Sequence, residues 1–276
     1  MHRFSQVDVF TDRLTSGNPL AVVHDADDLS DAQLAAIASW TNLSETTFLL
    51  RPTDPAADYR VRIFTTEGEL PFAGHPTLGS AYAWSAAGGE ARDPGRIVQQ
   101  CDLGLVPVRV DGPRLAFAAP PPLRSGPVSA DDLAELTRFL GVAAGDVLDA
   151  QWVDNGPGWV GVLLRDAATV LAVRATPPCR LRDVGIIGAY PPGAECDVEV
   201  RALIAVGGSL TEDPVTGSLN ASLAQWLIGA GRLPSAYVAA QGTVLGRCGR
   251  VHVSAEGSQV WVAGQVTPGV SGTIAL

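Results

Sequence analysis

His75-Pro76-x-x-Gly79-Ser80-x-x-Ala83-x-x-Ala86 and Asp213-Pro214-x-x-Gly217-Ser218-x-x-Ala221-x-x-Ala224 share one pattern of residue types, and 213 − 75 = 138 is half of the 276-residue chain. Two further pairs keep nearly the same spacing. Gly17-Asn18-Pro19 leads into an apolar run at 20–23, and Asn155-Gly156-Pro157 leads into one at 158–164. Asp58-x-x-Val61-Arg62 matches Asp197-x-x-Val200-Arg201 one residue further apart. Three pairs in one order at nearly one offset imply an internal duplication, so each half of the chain is read as a copy of one unit.

Local signals fill in that unit. Residues 7–10 and 21–23 read as strands, and Ser30-Asp31-Ala32-Gln33 has the form of a capping box opening a helix that runs to about Trp40. Residues 46–50 and 59–64, rich in β-branched and aromatic side chains, read as strands. Pro76 suits the first position of a helix that stops at Gly88-Gly89. The second half repeats the scheme, with a helix at 132–140, strands at 160–164 and 198–205, and Pro214 opening a helix that ends near Gly229. The expectation is an α/β (α+β) protein of two duplicated domains, 1–118 and 119–262, joined by the stiff Pro-rich stretch 118–122, with residues 263–276 returning to the first.

Composition limits the chemistry. The 19 basic residues, all Arg, face 29 acidic ones, and the net charge of −10 argues against a nucleic-acid partner. The absence of Lys excludes Schiff-base chemistry and a triphosphate-binding P-loop, and no G-x-G-x-x-G opens a helix. The four Cys stand alone and the four His make no ligand spacing with them, so neither metal nor cofactor is expected. With no membrane span and no signal-like apolar run at residues 1–10, a cytoplasmic protein with reduced thiols is expected.

Three residues stand out for chemistry. His75 and Asp213 each lie just before a helix, where unpaired N–H groups and a partial positive charge attract carboxylates. The segments Gly74–Thr77 and Asp213–Ser218 would therefore hold a substrate carboxylate or an enolate-like charge, through Gly74, Thr77, Thr216, Gly217 and Ser218. Glu45 sits in the uncharged segment Asn42-Leu43-Ser44-Glu45-Thr46-Thr47-Phe48, where desolvation would move its pKa toward a useful acid/base range. Each has a bland alternative: a helix cap for Asp213, a surface turn for His75, a solvated junction for Glu45. The six Trp would line a pocket for a ring, or pack the core.

The longer blocks carry a resemblance. Asp8-Val9-Phe10-Thr11-x-x-x-x-Ser16-Gly17-Asn18-Pro19-Leu20-Ala21-Val22-Val23, the Glu45 segment, Arg62-Ile63-Phe64-Thr65-x-x-Gly68-Glu69-Leu70-Pro71-Phe72-Ala73-Gly74-His75-Pro76-Thr77 and Glu212-Asp213-Pro214-Val215-Thr216-Gly217-Ser218 resemble the signature blocks of the PhzF-like isomerases of phenazine biosynthesis. Weaker echoes lie in Asp154-Asn155-Gly156-Pro157-x-Trp159 and Gln241-Gly242-x-x-x-Gly246-Arg247. The resemblance implies a diaminopimelate epimerase-like fold, two curled sheets each around a central helix, with the active site in the cleft between them and a homodimer as the assembly. It implies cofactor-independent proton transfer on a small carboxylate by Glu45, assisted by His75, Asp213 and Ser218, with Asn18 among the substrate-binding residues. A noncatalytic binding protein using the same cleft is the alternative. Two departures are informative. The positions aligned with the paired thiols of related racemases are Ala73 and Pro214, which excludes two-thiol racemisation. Leu219-Asn220 stands where many family members have Ala-His, near the expected pocket.

Overall fold

A computed structural model of the chain describes residues 1–206 and 208–276. It divides into two compact units, residues 1–118 with 263–276, and residues 119–262.

In the first unit, β1 (His2–Val9) and β2 (Asn18–Val23) form an antiparallel pair, and α1 (Asp31–Thr41) crosses to β3 (Thr46–Leu50), parallel to β2. β4 (Tyr59–Phe64) and β5 (Glu69–Leu70) continue antiparallel. α2 (Gly74–Ala86) then crosses to β6 (Arg96–Cys101), parallel to β4, and β7 (Gly104–Asp111) and β8 (Arg114–Ala118) complete a meander. The chain's last residues, through Ile274, pair antiparallel with β1. The capping box at the start of α1 is present: Gln33 Oε1 accepts from the Ser30 N–H at 3.0 Å and from its hydroxyl at 2.8 Å.

α2 is the core of this unit. It packs against β1, β2, β3 and β8, and residues 74–81 are all buried. Small side chains make that possible. A Cβ on Gly79 would lie 2.5 Å from Leu20 Cδ2, 3.0 Å from Val9 Cγ2 and 3.2 Å from Val7 Cγ2. Gly79→Ala gains up to about 1 kcal/mol in helix propensity but overpacks this contact, so urea unfolding is expected to show a net loss of roughly 1 to 2 kcal/mol. An unchanged or raised midpoint would show that the helix has room to shift.

The second unit opens with β9 (Arg124–Pro127) and α3 (Ala130–Leu140), then repeats the first unit's order of connections. β10 (Val147–Asp154) and β11 (Val160–Leu164) pair antiparallel, and α4 (Ala167–Ala172) crosses to β12 (Asp183–Ala189), parallel to β11. β13 (Val198–Val206) and β14 (Ser209–Asp213) follow antiparallel. α5 (Gly217–Gly229) crosses to β15 (Ala236–Gln241), parallel to β13 and paired antiparallel with β16 (Gly249–Glu256). β17 (Gln259–Ile274) begins in this unit and ends in the first. Both units are thus mixed α/β sheets around one buried, small-residue helix.

The duplication is real in topology, but two details of the sequence reading change. The helix at 132–140 is α3, which precedes the β10–β11 pair; the counterpart of α1 is the short α4. α3 carries the stronger amphipathic signal, with Leu136, Phe139 and Leu140 packed into the core, whereas six residues of α4 leave almost none. The second correction concerns the central helices. Phe64 pairs with Glu69 in the first unit and Leu203 with Glu212 in the second, so the β13–β14 hairpin is longer by (212 − 203) − (69 − 64) = 4 residues. The offset is 138 at β3, 139 at β4 and 143 in the central helix. Pro76 is therefore the third residue of α2, Pro214 lies outside α5, and the residue equivalent to His75 is Ser218, not Asp213. By the same shift the equivalent of Ala73 is Thr216 rather than Pro214. Each hairpin is clamped alike, Arg62 on Glu69 (2.7 and 2.6 Å) and Arg201 on Glu212 (3.0 and 2.8 Å).

No helix among the described residues is long and apolar enough to cross a membrane.

Candidate active site

The first unit brings Asn18, Glu45, Gly74, His75 and Thr77 together. Asn18 starts β2, Glu45 immediately precedes β3, and Gly74, His75 and Thr77 form the first turn of α2. His75 Nε2 lies 3.5 Å from Glu45 Oε2, and Asn18 Nδ2 lies 3.4 Å from His75 Nδ1. An amide nitrogen only donates, so Nδ1 accepts and the ring proton sits on Nε2, facing Glu45. Burial depresses the His75 pKa to about 3, so the ring is neutral over the physiological range. Glu45 therefore faces a neutral N–H donor rather than an imidazolium.

Beneath this turn, Tyr59 donates to Gln99 Oε1 at 2.8 Å, Gln99 Nε2 donates to Thr77 Oγ1 at 3.0 Å, and Thr77 donates to the Ala73 carbonyl at 2.9 Å. Thr77 is thus tied up below the helix start. Its side chain holds the turn; it does not reach out toward a ligand.

In the second unit, Asp213 ends β14, Thr216 is the residue before α5, and Gly217 and Ser218 begin the helix. Thr216 donates to Asp213 Oδ2 at 2.6 Å. Ser218 Oγ accepts from Trp159 Nε1 at 3.1 Å, and the Ser218 carbonyl accepts from Asn155 Nδ2 at 2.9 Å. Asn220 is fully buried and donates to the Thr216 carbonyl and to Gln241 Oε1, so the departure at 219–220 lies behind the helix start rather than on a ligand-facing surface.

The two central helices share a further property. α3 and α4 are closed at their N-termini by Ser129 and Asp166, whereas α2 and α5 have no side-chain cap and no acidic residue in the first turn. Their first N–H groups have no intrahelical acceptor, which makes each terminus a ready binder of a carboxylate. Among the described residues no group of three or more His, Cys, Asp or Glu is placed to hold a metal.

Residues 7–272 match the model of the phenazine biosynthesis-like protein family. Trans-2,3-dihydro-3-hydroxyanthranilate isomerase of Pseudomonas aeruginosa is 34% identical over 267 residues, which are 94% of this chain and 92% of that one. This chain belongs to that family of PhzF-like isomerases. Antisense-enhancing sequence 1 of Schizosaccharomyces pombe is 33% identical, over 98% of both chains. The crystal structure of a predicted epimerase from Pseudomonas aeruginosa superposes with a TM-score of 0.79 at 26% identity, covering 100% of each chain.

Sequence reasoning passed over two groups. Asp183 is buried at the start of β12, at the position equivalent to Glu45, and the 138-residue offset already led there (45 + 138 = 183). Gln99 and Gln241 hold the starts of α2 and α5. Nothing in a Gln within a strand sequence marks it for that task.

Proposed function

We propose that the chain is a cofactor-independent isomerase that moves a proton, and with it a double bond, between carbons of a small carboxylate metabolite. The observation that supports this most directly is the pairing of Glu45 with a buried, neutral His75 at an open helix start. Glu45 takes the proton from an activated C–H, the electron pair moves into the conjugated system, and after the Glu45 carboxyl has exchanged with solvent a proton is added at a distant carbon, so the composition is unchanged overall. His75 donates from Nε2, and the open N-terminus of α2, with Gly74 at its head, attracts the substrate carboxylate or the developing enolate charge. The second unit has its own carboxylate, Asp213, as a further acid/base group, and its own open helix start at Gly217 and Ser218.

The named relative supplies the first substrate to try. Trans-2,3-dihydro-3-hydroxyanthranilate incubated with the protein in D₂O, with no added metal or nucleotide, is expected to isomerise and to carry one deuterium at the new C–H position. The same result is expected in EDTA. Saturable binding of this compound with neither isomerisation nor exchange would favour a binding protein; activity lost in EDTA and restored by a divalent ion would overturn the cofactor-independent reading.

A further inference from the structure

Gln241 closes β15 with its side chain fully buried beneath the start of α5. Its partners fix which end of the amide is oxygen. Oε1 accepts from the backbone N–H of Thr216 at 3.0 Å, a group that only donates, and from Asn220 Nδ2 at 2.8 Å. Asn220 in turn is oriented by the Thr216 carbonyl, which only accepts, at 2.9 Å. The other end of Gln241 is therefore Nε2, which donates to the Asp213 carbonyl at 3.2 Å and to Thr216 Oγ1 at 2.9 Å. A hydroxyl has one proton. Having accepted from Gln241, Thr216 gives that proton to Asp213 Oδ2 at 2.6 Å, the length of a charge-assisted bond to a carboxylate.

We propose that Gln241 is a positioning residue for the reaction: its amide sets the direction of the Thr216 hydroxyl, and that hydroxyl aims and holds the Asp213 carboxylate. The inference rests on the reading of Asp213 as an acid/base group. The first unit shows what is particular about this arrangement. Gln99 also donates to a hydroxyl at its helix start, but Thr77 passes its proton to a backbone carbonyl, so the relay there ends on the helix itself. In the second unit it ends on a carboxylate.

Gln241→Glu tests the direction of the relay. It keeps the shape and the accepting oxygen but leaves no N–H for Thr216 Oγ1, and it offers the hydroxyl proton a second carboxylate. Thr216→Val removes the hydroxyl, Thr216→Ser keeps it, and both leave Gln241 in place should the buried Glu prevent folding. One readout needs no substrate: a slowly exchanging, downfield hydroxyl proton in the ¹H spectrum, expected in the parent and in Thr216→Ser, absent from Thr216→Val and displaced in Gln241→Glu, where the proton turns to the new carboxylate. The second is turnover of trans-2,3-dihydro-3-hydroxyanthranilate. Gln241→Glu and Thr216→Val are expected to lower kcat roughly 10- to 100-fold with KM changed less than about threefold, and Thr216→Ser to recover most of that loss. The two losses should not add in the double variant, because both break one relay. An unchanged proton signal in Gln241→Glu would overturn the relay. Its displacement with kcat unchanged, where Asp213→Asn is impaired, would overturn the positioning role. Full turnover by Asp213→Asn would instead remove the acid/base reading of Asp213, and the inference with it.

Discussion

Glu45→Gln is expected to lower the turnover number by about 10² to 10⁴, or about 3 to 5 kcal/mol of barrier, while substrate affinity stays within a few-fold. The substitution keeps the size of the side chain and an oxygen toward His75, and it removes the carboxylate that takes the proton from carbon in this reading. Because His75 is neutral, its contact with Glu45 is not a charge–charge one, and the substitution leaves no uncompensated charge on the imidazole. Folding is therefore expected to survive, and the thermal midpoint should move by no more than a few degrees. The measurement is single-turnover and steady-state kinetics on trans-2,3-dihydro-3-hydroxyanthranilate beside an equilibrium binding curve. A Glu45→Gln variant within a few-fold of the parent, paired with an inactive His75→Ala, would transfer the role of base to the imidazole.

The sequence marks Glu45, His75 and Asp213 because each departs from its surroundings: an acid in an uncharged stretch, or a polar residue at a helix start. It also marks the duplication, since turn and cap residues recur at nearly fixed spacing. What it hides follows from two physical facts. A hairpin lengthens by four residues at almost no cost to the strands it joins, and that small change moved the apparent partner of His75 from Ser218 to Asp213. Helices built of Gly, Ala and Ser look alike after such a slip, so the error left no trace in the pattern. The supporting glutamines escape notice for another reason. Gln99 and Gln241 sit at buried positions of strands whose partners come from across the sheet and from the helix above, and only the fold reveals whether an amide there has four well-placed partners or none.

Acidification is expected to destabilise the protein through His75 before most carboxylates are protonated. The folded-state pKa is about 3 and the unfolded-state value about 6.5, so below pH 6.5 the unfolded chain binds a proton that the folded one refuses. Stability from this group is fully present above pH 6.5 and falls as pH drops toward 3, by up to about 1.4 kcal/mol per pH unit and about 3 to 5 kcal/mol in all. The cause is burial: the ring is 3% exposed, and its Nδ1 faces an amide N–H of Asn18, which repels the second proton an imidazolium needs. Glu45 is the ionisable group facing the other nitrogen, so the comparison belongs in a Glu45→Gln background, where its own titration is removed. In that background, urea unfolding between pH 7.5 and 4.5 should show a slope that His75→Asn flattens by about one proton per molecule. Parallel curves for the two proteins would mean that the imidazole gains its proton in the folded state as easily as in water, and Glu45 would then face a cation after all.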